Sequence, residues 1–192
     1  MVKQERAART HERFLDASAD EFARHGYAGA NLQRIAAHVG MTKGALYAHF
    51  PSKDALAAVF TSAFTGAVHG LLEGMDDGDP PLTSLHRLTE GLVSRIHTDL
   101  RFRAGLRLVC EDACTRGQVP DLVADLSAVL TRLVGDAQAQ RQLGSGHRPE
   151  LISSLVVTVI FGTYHTVPSH EAGDAAEQMR RVWQFLESGS AG

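Results

Sequence analysis

Two short amphipathic segments joined by a Gly-Met turn constrain this chain more than any other stretch. In residues 31–50, NLQRIAAHVGMTKGALYAHF, the apolar positions Leu32, Ile35, Ala36 and Val39 recur at i, i+3, i+4, i+7. That spacing is one stripe of a helix. Asn31 stands just before the stripe, where its side-chain oxygen can accept from the first free backbone N–H groups. Gly40 follows the last apolar position, where a left-handed residue ends a helix. Met41 is the single apolar residue of the turn. Thr42 then caps a second helix, expected from Lys43 to about His49. A capped helix, a tight turn and a second capped helix are the outline of a helix-turn-helix.

The second helix has an unusual surface for a packing element. At about 100° per residue, Lys43, Gly44, Tyr47 and Ala48 share one side, and Ala45, Leu46 and His49 the other. Glycine in a first turn costs about 1 kcal/mol relative to alanine. Close approach of another backbone, such as a phosphodiester chain, is one reason to accept it. Lys43 adds positive charge, Tyr47 a ring with a hydroxyl, and the first-turn N–H groups favour anions. Small, basic and hydrogen-bonding residues at the start of a second helix suit entry into a DNA major groove. A three-helix packing unit with a solvated face would show the same pattern, and residue chemistry leaves both readings open.

Gly26-Tyr27, Ile35-Ala36, Val39-Gly40, Thr42-Lys43-Gly44-x-Leu46-Tyr47-x-His49-Phe50 and Ser52-Lys53 together resemble the N-terminal domain of the tetracycline-repressor (TetR) family of transcriptional regulators. The resemblance covers roughly residues 9–60. It departs at Ala30-Asn31, where that family commonly carries two Thr; Asn keeps the capping function. The resemblance implies an all-α protein, with an N-terminal three-helix helix-turn-helix domain and a C-terminal helical domain for ligand binding and dimerisation. It implies no enzymatic activity and no cofactor. GALYAHF with the later AGLRLV (104–109) is most similar to the γ-butyrolactone-type autoregulator receptors. These control secondary metabolism in filamentous actinobacteria, and sixteen Arg against three Lys fit a GC-rich genome. The alternative is a TetR-type regulator of an efflux or metabolic gene, answering to an unrelated apolar compound. A helical interaction protein without DNA binding is a third class.

Charge distribution agrees with a DNA-binding head. The chain carries −3 overall, but residues 1–60 carry +2 and the remainder −5. All three lysines, Lys3, Lys43 and Lys53, lie in the first segment. Residues 1–13 are polar and basic, either a tail or an arm along the DNA backbone. A first helix is expected over about 9–25, with Phe14, Ser18 and Phe22 stacked, ended by Gly26. Tyr27 then reads as a core residue closing that end. No apolar run follows the basic N-terminus, so a signal peptide is not expected. The longest apolar run in the C-terminal half falls far short of the ~20 residues of a membrane span. A cytoplasmic protein with no membrane partner is the expectation.

After Phe50, Ser52 can cap a new helix, and Asp54 complements its positive end. Lys53 in that first turn is unfavourable for the helix alone, and a phosphate there would reverse the penalty. The apolar period from Leu56 to Leu71 makes a long helix, about 54–72, connecting a DNA-binding domain (1–53) to a ligand-binding and dimerisation domain (54–192). The DNA contacts expected are Asn31, Thr42, Lys43, Gly44, Tyr47, His49 and Lys53. Gly, Asp and two Pro break the chain over 73–81, and further helical stripes follow. Residues 151–167 are β-branched and could be a strand on propensity; the resemblance makes them a helix. A last helix is expected over about 175–187, and the tail SGSAG is expected to be disordered.

The resemblance implies that the last two helices pair with their symmetry mates as a four-helix bundle. Val156, Ile160, Met179, Val182 and Leu186 exceed what one small domain needs to close. A two-fold homodimer would read a near-palindromic site in double-stranded DNA. Thr158, Phe161 and Thr163 put isolated polar groups in an apolar run. Each hydroxyl can bond back to its own helix, or orient a small inducer in a mostly apolar pocket. No Lys or Arg lies in 151–167, which suits a neutral ligand such as a lactone or furan with an alkyl tail. Cys110 and Cys114 read as buried small hydrophobes. His165 and His170 are too few for a metal site, and no other metal set or catalytic arrangement occurs in the sequence.

Overall fold

The computed structural model describes residues 2–74, 78–166 and 172–188, with the side chains of all of these except 2, 3, 165, 166 and 172–174. His170, residues 189–192 of the SGSAG tail and the His165 side chain lie outside that set; Ser188, expected in the disordered tail, is instead the last residue of a helix. Among the described residues the protein is all-α: α1 (Val2–Gly29), α2 (Leu32–His38), α3 (Lys43–His49), α4 (Lys53–Glu73), α5 (Pro81–Thr98), α6 (Leu100–Thr115), α7 (Asp121–Ala139), α8 (Pro149–Thr166) and α9 (Ala172–Ser188). The β-branched run 151–167 is helical through Thr166, inside α8. The helix begins at Pro149, whose missing N–H is no loss in a first turn. α1 starts at Val2, well before the expected Arg9. Its regular winding is broken at Gly26, which adopts φ 65° and ψ −172°.

The chain forms two compact units, residues 1–66 with 99–118, and residues 67–98 with 119–192. The polypeptide passes from one to the other within α4. In the first unit, α1 to α3 and the first turns of α4 close around Phe14, Phe22, Ile35, Leu46, Phe50, Leu56 and Phe60. Ala104 and Leu108 of α6 join this core. α6 packs so closely on α4 that a Cβ on Gly105 would lie 2.5 Å from both the Phe60 carbonyl oxygen and the Phe64 Cβ. A backbone carbonyl cannot swing aside, so Gly105→Ala is expected to destabilise this unit by about 2 kcal/mol, as overpacking does. Urea denaturation of the two proteins side by side measures it; equal midpoints would contradict the close packing.

In the second unit, Leu85, Leu88, Leu92, Val93 and Ile96 of α5 form a spine, all at most 3% exposed. Leu130 and Val134 of α7, Val156 and Ile160 of α8, and Met179 and Trp183 of α9 are buried in the same unit. The Trp183 indole N–H donates to the Thr89 hydroxyl at 2.9 Å, and that hydroxyl donates to the Leu85 carbonyl at 2.8 Å. The indole's one polar atom is therefore satisfied at full burial.

Three expectations change here. Val156, Ile160 and Met179 are not surplus apolar surface: all three are consumed by the chain's own core. The large apolar side chains left open on the last two helices are Leu151, Leu155 and Phe185, at 49, 51 and 75% exposure. The cysteines are not buried hydrophobes, since Cys110 is half-buried and Cys114 exposed. Burial, with Cys114 and Glu111 nearby, pushes the Cys110 thiol above its ordinary pKa. Among the described residues, α4 is the one helix long and apolar enough to cross a membrane by length and composition. Its Leu56, Phe60, Phe64 and Val68 are buried within the protein.

Candidate nucleic-acid interface

The two caps of the helix-turn-helix form as their residue types require. The Asn31 side-chain oxygen accepts from the Gln33 N–H at 2.8 Å and starts α2. Gly40 takes φ 71°, and the Met41 N–H donates back to the Ala36 carbonyl at 2.9 Å, closing the helix end. Arg13 of α1 donates to the Val39 carbonyl at 2.9 Å and satisfies another terminal acceptor. The Thr42 hydroxyl accepts from the Ala45 N–H at 3.2 Å and starts α3. Leu46 alone of α3 is fully buried and anchors the helix.

The opposite side of α3 is open. Lys43, Gly44, Tyr47 and Ala48 are all exposed. The Lys43 ammonium lies 5.6 Å from the centroid of the Tyr47 ring. A Cβ on Gly44 would meet only the Thr42 hydroxyl, at 3.8 Å. The protein's own packing therefore does not demand a glycine there, and the demand, if any, comes from outside.

Two residues expected beside these lie elsewhere. His49 points back to α1, its ring 5.5 Å from Phe14 and 5.7 Å from His11, and packs against the core rather than into the open face. Lys53 is half-buried, and its ammonium donates to the Ala30 carbonyl at 2.7 Å while lying 4.7 Å above the Tyr27 ring. Tyr27 is not a core residue. It is 38% exposed, its hydroxyl donates to Asp54, and its backbone N–H donates to Glu111 of α6 at 2.7 Å. The Asp54 carboxylate holds the phenol above its ordinary pKa, with burial adding to the shift.

A carboxylate that the sequence reading passed over holds the start of α2. Glu21 is 8% exposed and accepts from the Asn31 N–H at 2.8 Å and from both Nε and Nη2 of Arg34. Arg34 also donates to the Gly29 carbonyl at 2.9 Å. Burial works to raise the Glu21 pKa; the Arg34 and Asn31 hydrogen bonds and the Arg34 charge outweigh it and leave the carboxyl below its ordinary value. The signal was present: Glu21 falls in phase with Phe14 and Ser18, and a carboxylate on a buried stripe needs partners.

The pocket residues are not brought together. Thr158 is exposed, on the same stripe of α8 as Leu151 and Leu155, and its hydroxyl donates to the Ser154 carbonyl at 2.8 Å. Thr163 is buried and donates to the Ile160 carbonyl at 2.8 Å, while Phe161 is half-buried. At about 100° per residue Thr158 and Phe161, three positions apart, share one side of α8, while Thr163 points away from both. Thr158 therefore does not orient a ligand inside the second unit, because it faces out of it.

A helix-turn-helix with one open, basic and glycine-bearing face, followed in the chain by an all-helical unit, defines a class of bacterial regulators. Residues 14–59 match Bacterial regulatory proteins, tetR family. The TetR family protein CprB from Streptomyces coelicolor, solved in complex with its biological operator sequence, is similar at 31% identity and a TM-score of 0.73. That match covers 94% of this chain and 88% of CprB. The chain belongs to the TetR family. It is also similar to the A-factor receptor protein of Streptomyces griseus, 28% identical over 188 residues. That alignment takes in 97% of this chain but spans only 65% of the relative's length. A solved γ-butyrolactone receptor described as ArpA-like is 26% identical with a TM-score of 0.71, covering 96% of this chain and 99% of that one.

Proposed function

We propose that the chain is a homodimeric, cytoplasmic transcriptional repressor that binds a near-palindromic operator through α3. A small, mostly apolar inducer of the butyrolactone or furan class releases it. The observation that carries the reading is the Lys43–Gly44–Tyr47 face, exposed and with no packing role of its own, in a chain resembling the A-factor receptor along 97% of its length. Residues 1–53 are the DNA-binding domain in this reading and 54–192 the inducer-binding and dimerisation domain. Lys43, Tyr47 and Lys53 meet phosphates, while Thr42 and Gly44 lie at the backbone or base edges. Asn31 shapes the approach by capping α2. His49 supports α3 from behind. The inducer enters the second unit, where α8 offers Phe161 and Thr163 and no Lys or Arg.

A gel shift with DNA flanking the chain's own gene tests the first half, and titration of butyrolactones, furans and unrelated apolar compounds into that complex tests the second. Release by an unrelated compound alone would make the chain a regulator of a different signal. No shift with any flanking DNA would remove the repressor reading. Within this reading, Tyr47→Phe is expected to weaken operator binding by about 1 kcal/mol, the net worth of one hydroxyl–phosphate hydrogen bond. Unchanged affinity would take the Tyr47 hydroxyl off the contact surface.

A further inference from the structure

We propose that Tyr27 is a positioning residue for DNA binding, which presents the Lys53 ammonium to phosphate and is itself held in place by Glu111 of α6. The proposal rests on the DNA-binding reading and extends it to residues outside the helix-turn-helix. Lysine is a poor ligand when loose, because its long stem loses rotamer freedom each time the ammonium is fixed. Here Lys53 is fixed beforehand. One N–H goes to the Ala30 carbonyl at 2.7 Å, and the Tyr27 ring covers one side at 4.7 Å. An ammonium has three N–H donors, so this arrangement leaves two for a phosphate. A cation above an aromatic face is held in direction without being neutralised.

The Tyr27 ring is in turn fixed from both ends. Its hydroxyl donates to Asp54, the residue after Lys53, and its backbone N–H donates to Glu111 at 2.7 Å. Glu111 accepts from the Arg107 Nε at 2.8 Å, and Arg107 Nη1 donates to the Ala23 and Arg24 carbonyls, at 2.9 Å each, at the end of α1. The Glu111 carboxylate fills the space beside Gly26 so fully that a Cβ there would lie 2.0 Å from it. Gly26 also has φ 65°, which few other residues adopt. The turn that aims Tyr27 is thus built around a side chain from α6. An unbroken series of contacts runs Arg107, Glu111, Tyr27, Lys53, Ala30, and ends one residue before the cap of α2.

The test is a salt series on the full chain, with a short mixed-sequence duplex as probe and anisotropy as readout. Each lost phosphate contact makes log K less steep in log salt by about one. Lys53→Ala and Tyr27→Leu are each expected to lose that unit, and the double variant no more than either alone. Tyr27→Phe keeps the ring and is expected to keep the slope, with affinity lower by a few-fold. Glu111→Ala is expected to flatten the slope like Tyr27→Leu and to add nothing in that background. A purely structural Tyr27 would lower the melting temperature and leave the slope alone. Wild-type slope in Tyr27→Leu or Glu111→Ala, additive losses in the double variant, or wild-type slope in Lys53→Ala each overturns the proposal. If Tyr27→Leu does not fold, Glu111→Ala with Lys53→Ala decides. A wild-type chain that binds no duplex would instead bring down the DNA-binding reading and this proposal with it.

Discussion

Phe185→Asp should turn the proposed dimer into a monomer and abolish specific operator binding. Phe185 is 75% exposed on α9, and Leu151 and Leu155 on α8 are about half exposed, an arrangement with no use inside a single chain. Covering one phenylalanine side chain is worth about 1.5–3 kcal/mol. Two-fold symmetry presents the same residue from both protomers, so one substitution removes that contribution twice and leaves two carboxylates to be desolvated. A loss of about 5 kcal/mol corresponds to between 10³ and 10⁴ in the dimer constant. Binding to an operator with two half-sites falls with it, since each half-site is then held separately. Sedimentation at micromolar concentration, with circular dichroism to establish that the variant folds, gives the answer. A Phe185→Asp dimer would place the interface elsewhere. Val182, half-buried beside Trp183, is a poorer choice because its loss also disturbs the core.

Glu21→Ala should destabilise the first unit by about 1–2 kcal/mol, less than breaking a fully buried ion pair costs, since Arg34 stays half-exposed to solvent. The variant deprives the Asn31 N–H and two Arg34 donors of their acceptor at once. The same residue makes an acid-dependence with a definite sign. Its carboxyl is held below the ordinary value of 4.5 in the folded protein. Its contribution is therefore complete at neutral pH, begins to fall near 4.5, and is gone once pH drops below the folded value. Urea midpoints of the wild type should decline through that acid window more steeply than those of Glu21→Ala. Parallel declines would mean that Glu21 is not the group responsible.

The parts of the head that could be read from sequence were those whose partners lie within one helical turn. Asn31 meets Gln33, Thr42 meets Ala45, and Gly40 closes on Ala37; each follows from spacing alone. Lys53 could not be placed in this way, because its carbonyl partner lies 23 positions upstream. Tyr27 escapes a local reading for the same reason, its N–H bonding to a carboxylate 84 positions away. The stripes on α8 and α9 were correct as helices but not as faces. Val156, Ile160 and Met179 recur at helical spacing whether they face their own core or a second copy, and periodicity carries no information on which. Thr158 shows the limit for polar groups: a hydroxyl in an apolar run marks a helix position, and only the packing tells whether that position faces inward.

The placement of α6 has a practical consequence for exchanging parts between regulators. The first unit is discontinuous in sequence, since 99–118 return to it after the chain has built part of the second. Cutting a relative at a single point after α4 and grafting its head here would pair a foreign α1 with the native Arg107, Glu111 and Gly105. The graft would need three junctions, at 66, 98 and 118, to carry its own α6. Single-crossover recombination can then succeed only between chains that already agree at Gly26, Gly105, Arg107 and Glu111. Drift in the head is in this sense tied to a segment of sequence outside the helix-turn-helix.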